Sequence, residues 1–350
     1  MLFLAAPLPA QGGWDEANEA VDRGDYARAL RELLPLAERG DALAQFNIGL
    51  WYSLGRGVPQ DYSEAAKWYR KAAEQGIGAA QNNLGTMYES GRGVEKNYTE
   101  AVKWYREAAE QGLHGGQLHL GIMYYEGRGL PRDYAEAMKW FRKAAEQGNV
   151  DAHFNIGQMY AKGHGVAQNF SEAINSYRLA AEEGHAKAQV NLGVIYGQGR
   201  YVPRDDVRAA EWFHKAAEQG DISAQYNLAN MYYRGAGVPK DLVKSYMLLE
   251  LAASGSRPGK QKNKYVERLE LVAEQMSPDE IAEWSRKGRE LGCIEALMCL
   301  GDRPEVAFRG FPELLASYGA ATTAEYVYKA CVIALVCGRR PSSNAITQAL

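Results

Sequence analysis

A block of 36 residues recurs along this chain, and that recurrence constrains the fold more than any other feature. The segment DYSEAAKWYRKAAEQG ends at Gly76, and close copies end at Gly112 and Gly148. Looser copies end at Gly184 and Gly220, with no insertion between copies. A fixed period in this range is typical of a solenoid, in which each unit buries its apolar face only against its neighbours. We therefore expect an array of similar units.

Each unit is predicted to contain two helices joined by a glycine-rich loop. In the first full unit, Ala44, Ile48 and Tyr52 follow one face of a helix, and the loop GRGVPQ follows with glycines suited to positive φ. Asp61 and Glu64 then form a capping box that starts the second helix. The pairing recurs at Asn97/Glu100, Asp133/Glu136 and Asn169/Glu172. The predicted fold class is all-α, a right-handed α/α superhelical solenoid of 36-residue helix-loop-helix repeats.

The register divides the chain into regions. Residues 1–13 are an apolar N-terminal segment, and residues 14–40 are predicted to form a shortened capping half-repeat. Residues 257–292 are predicted to be a divergent seventh repeat that closes the array, and residues 293–350 a divergent tail. Between the two ends lie six full repeats, at 41–76, 77–112, 113–148, 149–184, 185–220 and 221–256.

The C-terminal regions keep some helical signals. Ser277 and Glu280 form another capping box in register with the repeats, and the apolar run 326–337 predicts one more helix. All the cysteines lie in the last sixth of the chain, at Cys293, Cys299, Cys331 and Cys337. No cysteine lies in the repeats, so no disulfide framework is expected to link them, and the spacing fits no common zinc pattern. We therefore expect buried thiols.

The N-terminal segment MLFLAAPLPAQ leaves the compartment open. It is apolar and ends in small residues, as the second half of a signal peptide does, but no basic region precedes it. One interpretation is export to the periplasm or the medium. The alternative is an apolar tail on a cytoplasmic protein.

Charge and composition argue against several function classes. Lys and Arg total 40 against 43 Asp and Glu, so there is no basic excess to hold a nucleic acid. No apolar run reaches the length of a membrane span. The six histidines do not cluster, and the chain has none of the common hydrolase, zinc-protease or phosphate-loop motifs. We expect no catalytic residue, no cofactor and no metal.

The repeated residues resemble a known family. The frame A-x-A-Q-x-N-x-G-x-x-Y-x-x-G-x-G-V, followed by D-Y-x-E-A-x-x-W-Y-x-K-A-A-E-x-G, is similar to the Sel1-like repeat, a relative of the tetratricopeptide repeat. The resemblance implies an α/α superhelix that binds other proteins as an adaptor, regulator or scaffold, and many bacterial members are exported. Some cysteine-rich members are linked to β-lactam binding. This chain has no cysteine in its repeats, which puts that activity in doubt here.

Positions that stay constant between repeats are predicted to form the core, and one row that varies is predicted to bind a partner. The constant set in the first repeat includes Gly49, Trp68 and Tyr69, since small residues allow close packing and aromatic rings fill gaps between units. The varying row follows the spacing i, i+4, i+7 on each first helix and carries almost no charge. We call these residues the stripe: Phe46, Leu50, Ser53; Asn82, Thr86, Glu89; Leu118, Ile122, Tyr125; Phe154, Gln158, Ala161; Val190, Val194, Gly197; and Tyr226, Asn230, Tyr233.

The leading hypothesis is a non-enzymatic scaffold. First helices line the concave side of a right-handed array, so the stripe is predicted to hold a peptide or helix of a protein partner. Beside it runs a row of amides with one histidine, which could bond the backbone of a partner or, as we favour, tie the loop of one repeat to the next: Asn47, Asn83, His119, Asn155, Asn191 and Asn227. The second helices are predicted to present an ordinary solvated surface, as at Lys67, Arg70, Lys71 and Glu74.

Two alternatives stay open. The chain could be an exported envelope enzyme or a binder of small molecules of the β-lactam type, or a regulator that acts through its C-terminal tail. A monomer is favoured.

Overall fold

The computed structural model describes residues 13–277 and contains, within that range, only α-helices as regular elements. The predicted fold class, an all-α solenoid of helix-loop-helix repeats, is confirmed. The helices are α1 Trp14–Asp22, α2 Tyr26–Glu38, α3 Ala42–Leu54, α4 Tyr62–Glu74, α5 Gly78–Ser90, α6 Tyr98–Glu110, α7 His114–Glu126, α8 Tyr134–Glu146, α9 Val150–Lys162, α10 Phe170–Glu182, α11 Ala186–Gln198, α12 Asp206–Glu218, α13 Ile222–Arg234, α14 Leu242–Gly255 and α15 Lys260–Ala273.

The helices belong to two compact units, which divide between Ser176 and Tyr177. The first unit contains α1 to α9, and the second contains α11 to α15. In both units each helix packs on the next one along the chain, so that odd-numbered helices are the first helices of their repeats and even-numbered helices the second. The four cysteines and the apolar run 326–337 lie outside the described residues.

Each second helix starts at a side-chain cap, but the predicted capping box is wrong in its second half. The carboxylate of Asp61 accepts bonds from the N–H groups of Ser63 and Glu64. The N–H of Asp61 does not turn to Glu64, because it donates to the carbonyl of Tyr52 at 3.0 Å and so closes the loop between the two helices. Glu64 binds Lys67 instead. The same backbone bond recurs at Asn97/Tyr88, Asp133/Tyr124, Asn169/Tyr160, Asp205/Tyr196 and Asp241/Tyr232.

The two helices of a repeat meet where a glycine faces an aromatic ring. A Cβ atom added at Gly49 would lie 2.8 Å from the ring of Tyr69, which is 1% exposed. Ala44 and Ala65 nearby are fully buried. The constant residues therefore form the core, as predicted. The same pairing recurs at Gly85/Tyr105, Gly121/Phe141 and Gly193/Phe213.

The surface of the second helices does more than the sequence indicates. Lys71 lies over the ring of Trp68 at 4.1 Å, and Lys143 and Lys215 repeat that contact on Trp140 and Trp212. The arginines at the repeat position just before these lysines extend to the following repeat, where their guanidinium groups donate to tyrosine hydroxyls. The pairs are Arg70/Tyr88, Arg106/Tyr124 and Arg142/Tyr160. The predicted absence of any special role for Arg70 is wrong, since it links neighbouring repeats.

Candidate functional site

The stripe divides into buried and open members. Phe46, for example, is 3% exposed and packs against Tyr69 with ring centroids 5.8 Å apart. These buried residues stabilise their own repeat and offer a partner little surface. The buried members are Phe46, Leu50, Ser53, Asn82, Leu118 and Phe154. The members that keep accessible surface are Thr86, Glu89, Ile122, Tyr125, Gln158, Ala161, Val190, Val194, Gly197, Tyr226, Asn230 and Tyr233.

In the first unit, the last stripe position of one repeat contacts the loop of the next. Tyr125 shares a hydrogen bond of 3.1 Å with the Nδ1 atom of His164, whose ring stacks on Tyr134 at 4.5 Å. One repeat earlier, Glu89 forms an ion pair of 3.5 Å with Arg128. The stripe is therefore joined at its loop end to the next repeat.

In the second unit, α15 covers the stripe residues of α13. The rings of Tyr226 and Tyr265 lie 4.9 Å apart. Arg268 donates to the Oδ1 atom of Asn230 at 2.9 Å and lies over the ring of Tyr233 at 4.2 Å. Three predicted partner-binding residues are thus already engaged by a helix of the same chain. The aliphatic stripe residues of this unit, Val190 and Val194 on α11, are partly exposed.

A row of glutamines, not recognised in the sequence, ties successive helices together. Gln45 is buried; its amide donates to the carbonyl of Ala37 at 2.8 Å, and its oxygen accepts from Gln75 at 2.8 Å. The side chain of Gln45 therefore links α2, the second helix of the preceding half-repeat, to both helices of its own repeat. The arrangement recurs at Gln81/Gln111, Gln117/Gln147 and Gln189/Gln219. The signal in the sequence is that both glutamines recur at the repeat spacing.

The amide row beside the stripe does not have the predicted role at Asn47. Its Nδ2 atom donates to the carbonyl of Leu43 in its own helix, so it ties no loop to the next repeat. His119, at the same position two repeats later, does bridge neighbouring repeats. Its Nδ1 atom lies 2.9 Å from the Oδ1 atom of Asn82, and its ring stacks on Tyr105 at 4.8 Å. Burial lowers the pKa of His119 below its ordinary value of 6.5.

Acidification is expected to destabilise the wild-type protein more than the variant His119→Asn, which carries the usual repeat residue. Below a pH of about 6.5 the unfolded chain binds a proton at this histidine, whereas the folded chain, with its lowered pKa, binds it only at lower pH. Stability is therefore lost as the pH falls from neutral through 6. Urea midpoints at pH 7.5 and pH 5 measure the difference. An unchanged pH dependence in His119→Asn would contradict the assignment.

Two further pKa shifts among the described residues result from burial. Burial raises the pKa of the Tyr69 phenol to about 12, and burial also lowers the pKa of His153. Residues 13–277 contain no group of three His, Cys, Asp or Glu side chains placed to hold a metal ion. None of the helices between these limits is both long and apolar enough to cross a bilayer.

The described part of the chain consists of paired helices, most of them of about 13 residues, in which small residues pack against aromatic rings at the same positions of successive repeats. This is the architecture of helical repeat proteins. The model of the Sel1 repeat matches six segments, at residues 42–77, 78–113, 115–149, 150–185, 186–221 and 222–256. The chain therefore belongs to the Sel1 repeat family.

Two solved structures share the fold. A Sel1 repeat protein from Oxalobacter formigenes is 36% identical, with a TM-score of 0.65 over 72% of this chain and 100% of its own. A protective antigen of uropathogenic Escherichia coli with the same fold is 33% identical, with a TM-score of 0.65 over 91% of this chain and 69% of its own. Both support the assignment to the family.

The curated relatives match a short segment only. The 7,8-didemethyl-8-hydroxy-5-deazariboflavin synthase of Halobacterium salinarum is 39% identical over 69 residues, which make up 20% of this chain and 19% of the synthase. The chain thus spans about a fifth of the length of such relatives.

Proposed function

We propose that this protein is a non-enzymatic scaffold that holds a peptide or helix of a protein partner on the stripe of its first helices. Solenoids of Sel1 repeats are generally scaffolds for protein interaction without catalytic activity. The finer claim, that the stripe is the binding face, rests on the chemistry of its open members. A partner is expected to bind the two units through separate sets of residues.

The observation that carries the proposal is the contrast between the two helix surfaces of a repeat. Thr86, Ile122 and Gln158 are accessible and uncharged on the first helices of the first unit. The second helices instead expose charged side chains such as Lys67 and Glu74. Covering uncharged surface avoids the desolvation of ions, and the centres of protein interfaces are depleted in charge for that reason. The first helices are therefore the better docking surface.

The contacts of α15 indicate which partner chemistry suits this surface. Tyr265 and Arg268 are held by the ring of Tyr226, the amide of Asn230 and the ring of Tyr233. A partner segment with aromatic side chains at helical spacing would find a similar ring and amide on the stripe of the first unit, where Tyr125 and Gln158 lie beside Lys162. This supports a helix or an extended peptide rather than a small molecule as the ligand.

Introducing charge on the open stripe is expected to weaken partner binding. The double variant Ile122→Glu and Gln158→Glu places two carboxylates on α7 and α9, and we expect partner affinity to fall roughly tenfold or more. Affinity purification from cells at native expression, with quantitative mass spectrometry, compares the variant with the wild type. Val207→Glu is the matched control, because Val207 is 56% exposed on the second helix α12.

The control should retain every partner, and circular dichroism should show that both variants remain helical and folded at the temperature of the assay. Partner capture by the stripe variant at wild-type level would refute the proposed face. Hydrolysis of a chromogenic β-lactam by the pure protein would refute the non-enzymatic assignment.

A further inference from the structure

The second unit contains a cavity of about 270 Å³ beside its stripe. Val194 and Gly197 on α11 and Asn230 on α13 line it, so the cavity opens among the stripe residues of this unit. Phe213 and Met231 supply apolar wall, and both are at least nine-tenths buried. The remaining lining is largely polar and includes arginine and amide side chains.

The cavity exists because three side chains that meet in the first unit are absent here. In the first unit the stripe residue Glu89 meets Arg128 of the next loop, and that arginine lies over Tyr98 at 5.7 Å. Tyr125, His164 and Tyr134 form the same trio one repeat later. At the corresponding positions of the second unit stand Gly197, Ala236 and Asp206.

The loop beside the missing trio approaches the preceding helix as closely as its counterpart at Gly129 does in the first unit. A Cβ atom added at Gly237 would lie 2.1 Å from the carbonyl oxygen of Asp206, and the equivalent distance from Gly129 to Tyr98 in the first unit is 2.3 Å. The loop therefore sits against the second helix of the preceding repeat in the same way. The space results from smaller or shorter side chains and not from a shifted loop.

The charges around the cavity favour an anion. Arg204 neutralises Asp206 through two bonds of 2.9 Å. Arg234 also lines the cavity, and within residues 13–277 its guanidinium makes no ion pair, hydrogen bond or ring contact. The amides of Asn227 and Gln198 make no side-chain hydrogen bond within the same range. One uncompensated cation and two unbonded amides thus surround a small space.

We propose that this cavity receives a carboxylate of the partner segment that lies along the stripe, a proposal that rests on the proposed function. A planar carboxylate suits the fork of a guanidinium, and amide N–H groups can bind its remaining lone pairs. The apolar wall of Phe213 and Met231 accommodates the carbon atoms that bear the carboxylate. The source is either an acidic side chain or the C-terminus of the partner.

The test uses the full-length chain, three charged tripeptide probes and one uncharged control peptide, acetyl-Ala-Ala-Gln amide, observed by NMR. Acetyl-Ala-Ala-Glu carries both carboxylates, its C-terminal amide carries only the side-chain one, and acetyl-Ala-Ala-Gln carries only the terminal one. We expect saturable shifts at the amide signals of Gly193 and Gly197 with the first probe. Whichever of the other two probes retains the shifts identifies the source.

Arg234→Gln is expected to weaken binding of the first probe about tenfold, the loss expected for one charge-assisted hydrogen bond. Arg178→Gln is the matched control, because Arg178 is an exposed arginine on the second helix α10 and does not line the cavity. Absence of saturable shifts, equal binding of the uncharged acetyl-Ala-Ala-Gln amide, or equal affinity of Arg234→Gln would overturn the proposal. Because the probes bind without the partner, these outcomes are independent of partner capture by the Ile122 and Gln158 variant.

Discussion

Replacing Gly93 with alanine is expected to lower the free energy of unfolding by roughly 3 kcal/mol or more. Gly93 has φ of 71°, in the left-handed region that alanine rarely adopts. A Cβ atom there would also lie 2.1 Å from the carbonyl oxygen of Tyr62, at the start of the second helix of the preceding repeat. Backbone strain and a clash with main chain therefore add, and the loop can relieve the clash only by moving away from that helix.

The matched control for this prediction is Gly112→Ala. Gly112 has φ of 88°, but an added Cβ atom would meet no heavy atom within 4 Å. Only the backbone strain remains, so we expect a loss of about 1–2 kcal/mol. Urea unfolding followed by circular dichroism gives both midpoints. Equal losses at the two positions would show that the close approach of loop and helix does not contribute to stability.

The repeat made most of the fold predictable because its constant residues are small, aromatic or capping. Gly49 and Tyr69 recur at a fixed spacing, and only close contact between two helices explains why a glycine and a ring are both kept. Asp61 indicated the start of the second helix because its carboxylate caps the N–H groups there. Its N–H bond to Tyr52 could not be predicted, because that bond depends on the path of a loop whose glycines allow several conformations.

The stripe was harder to predict than the core. Spacing along a helix places Phe46, Leu50 and Ser53 on one line, but it does not say how much of that line the second helix of the repeat covers. Phe46 packs on Tyr69, and its 3% exposure follows from that contact. Similarly, the engagement of Asn230 by Arg268 depends on where α15 packs, which no repeat pattern fixes.

The cavity of the second unit illustrates what a comparison of repeats can and cannot give. The loss of large side chains at Gly197 and Ala236 is visible in the sequence alone. The sequence does not show that these two positions and Asp206 surround one space. The contact between Tyr125 and His164 in the first unit shows that the equivalent side chains meet. A substitution that is unremarkable by itself thus acquires meaning from the residues it meets.

Replacing Gln81 with leucine is expected to cost about 2–3 kcal/mol of stability, although the change is from a polar to an apolar residue in a buried place. Gln81 is 2% exposed. Its amide donates to the carbonyl of Ala73 and the carboxylate of Glu107, each at 3.1 Å, and its oxygen accepts from Gln111 at 2.7 Å. Leucine fills the space but removes all three hydrogen bonds, one of them to a carboxylate, and a net loss of about 1 kcal/mol for each bond gives the expected cost. The carbonyl of Ala73 keeps its bond from the N–H of Gly76.

Gln111→Leu separates the two halves of this link. It removes one of the three bonds, the one to the Oε1 atom of Gln81, and leaves the other two in place, so we expect a loss of about 1 kcal/mol. Urea midpoints of the two variants, measured side by side, give the comparison. If burial of apolar surface alone held neighbouring repeats together, Gln81→Leu would be neutral or stabilising. A loss of stability at Gln81 several times that at Gln111 would instead mean that buried polar bonds join the repeats. Such bonds also explain why a glutamine recurs at most of these positions beside an otherwise apolar core.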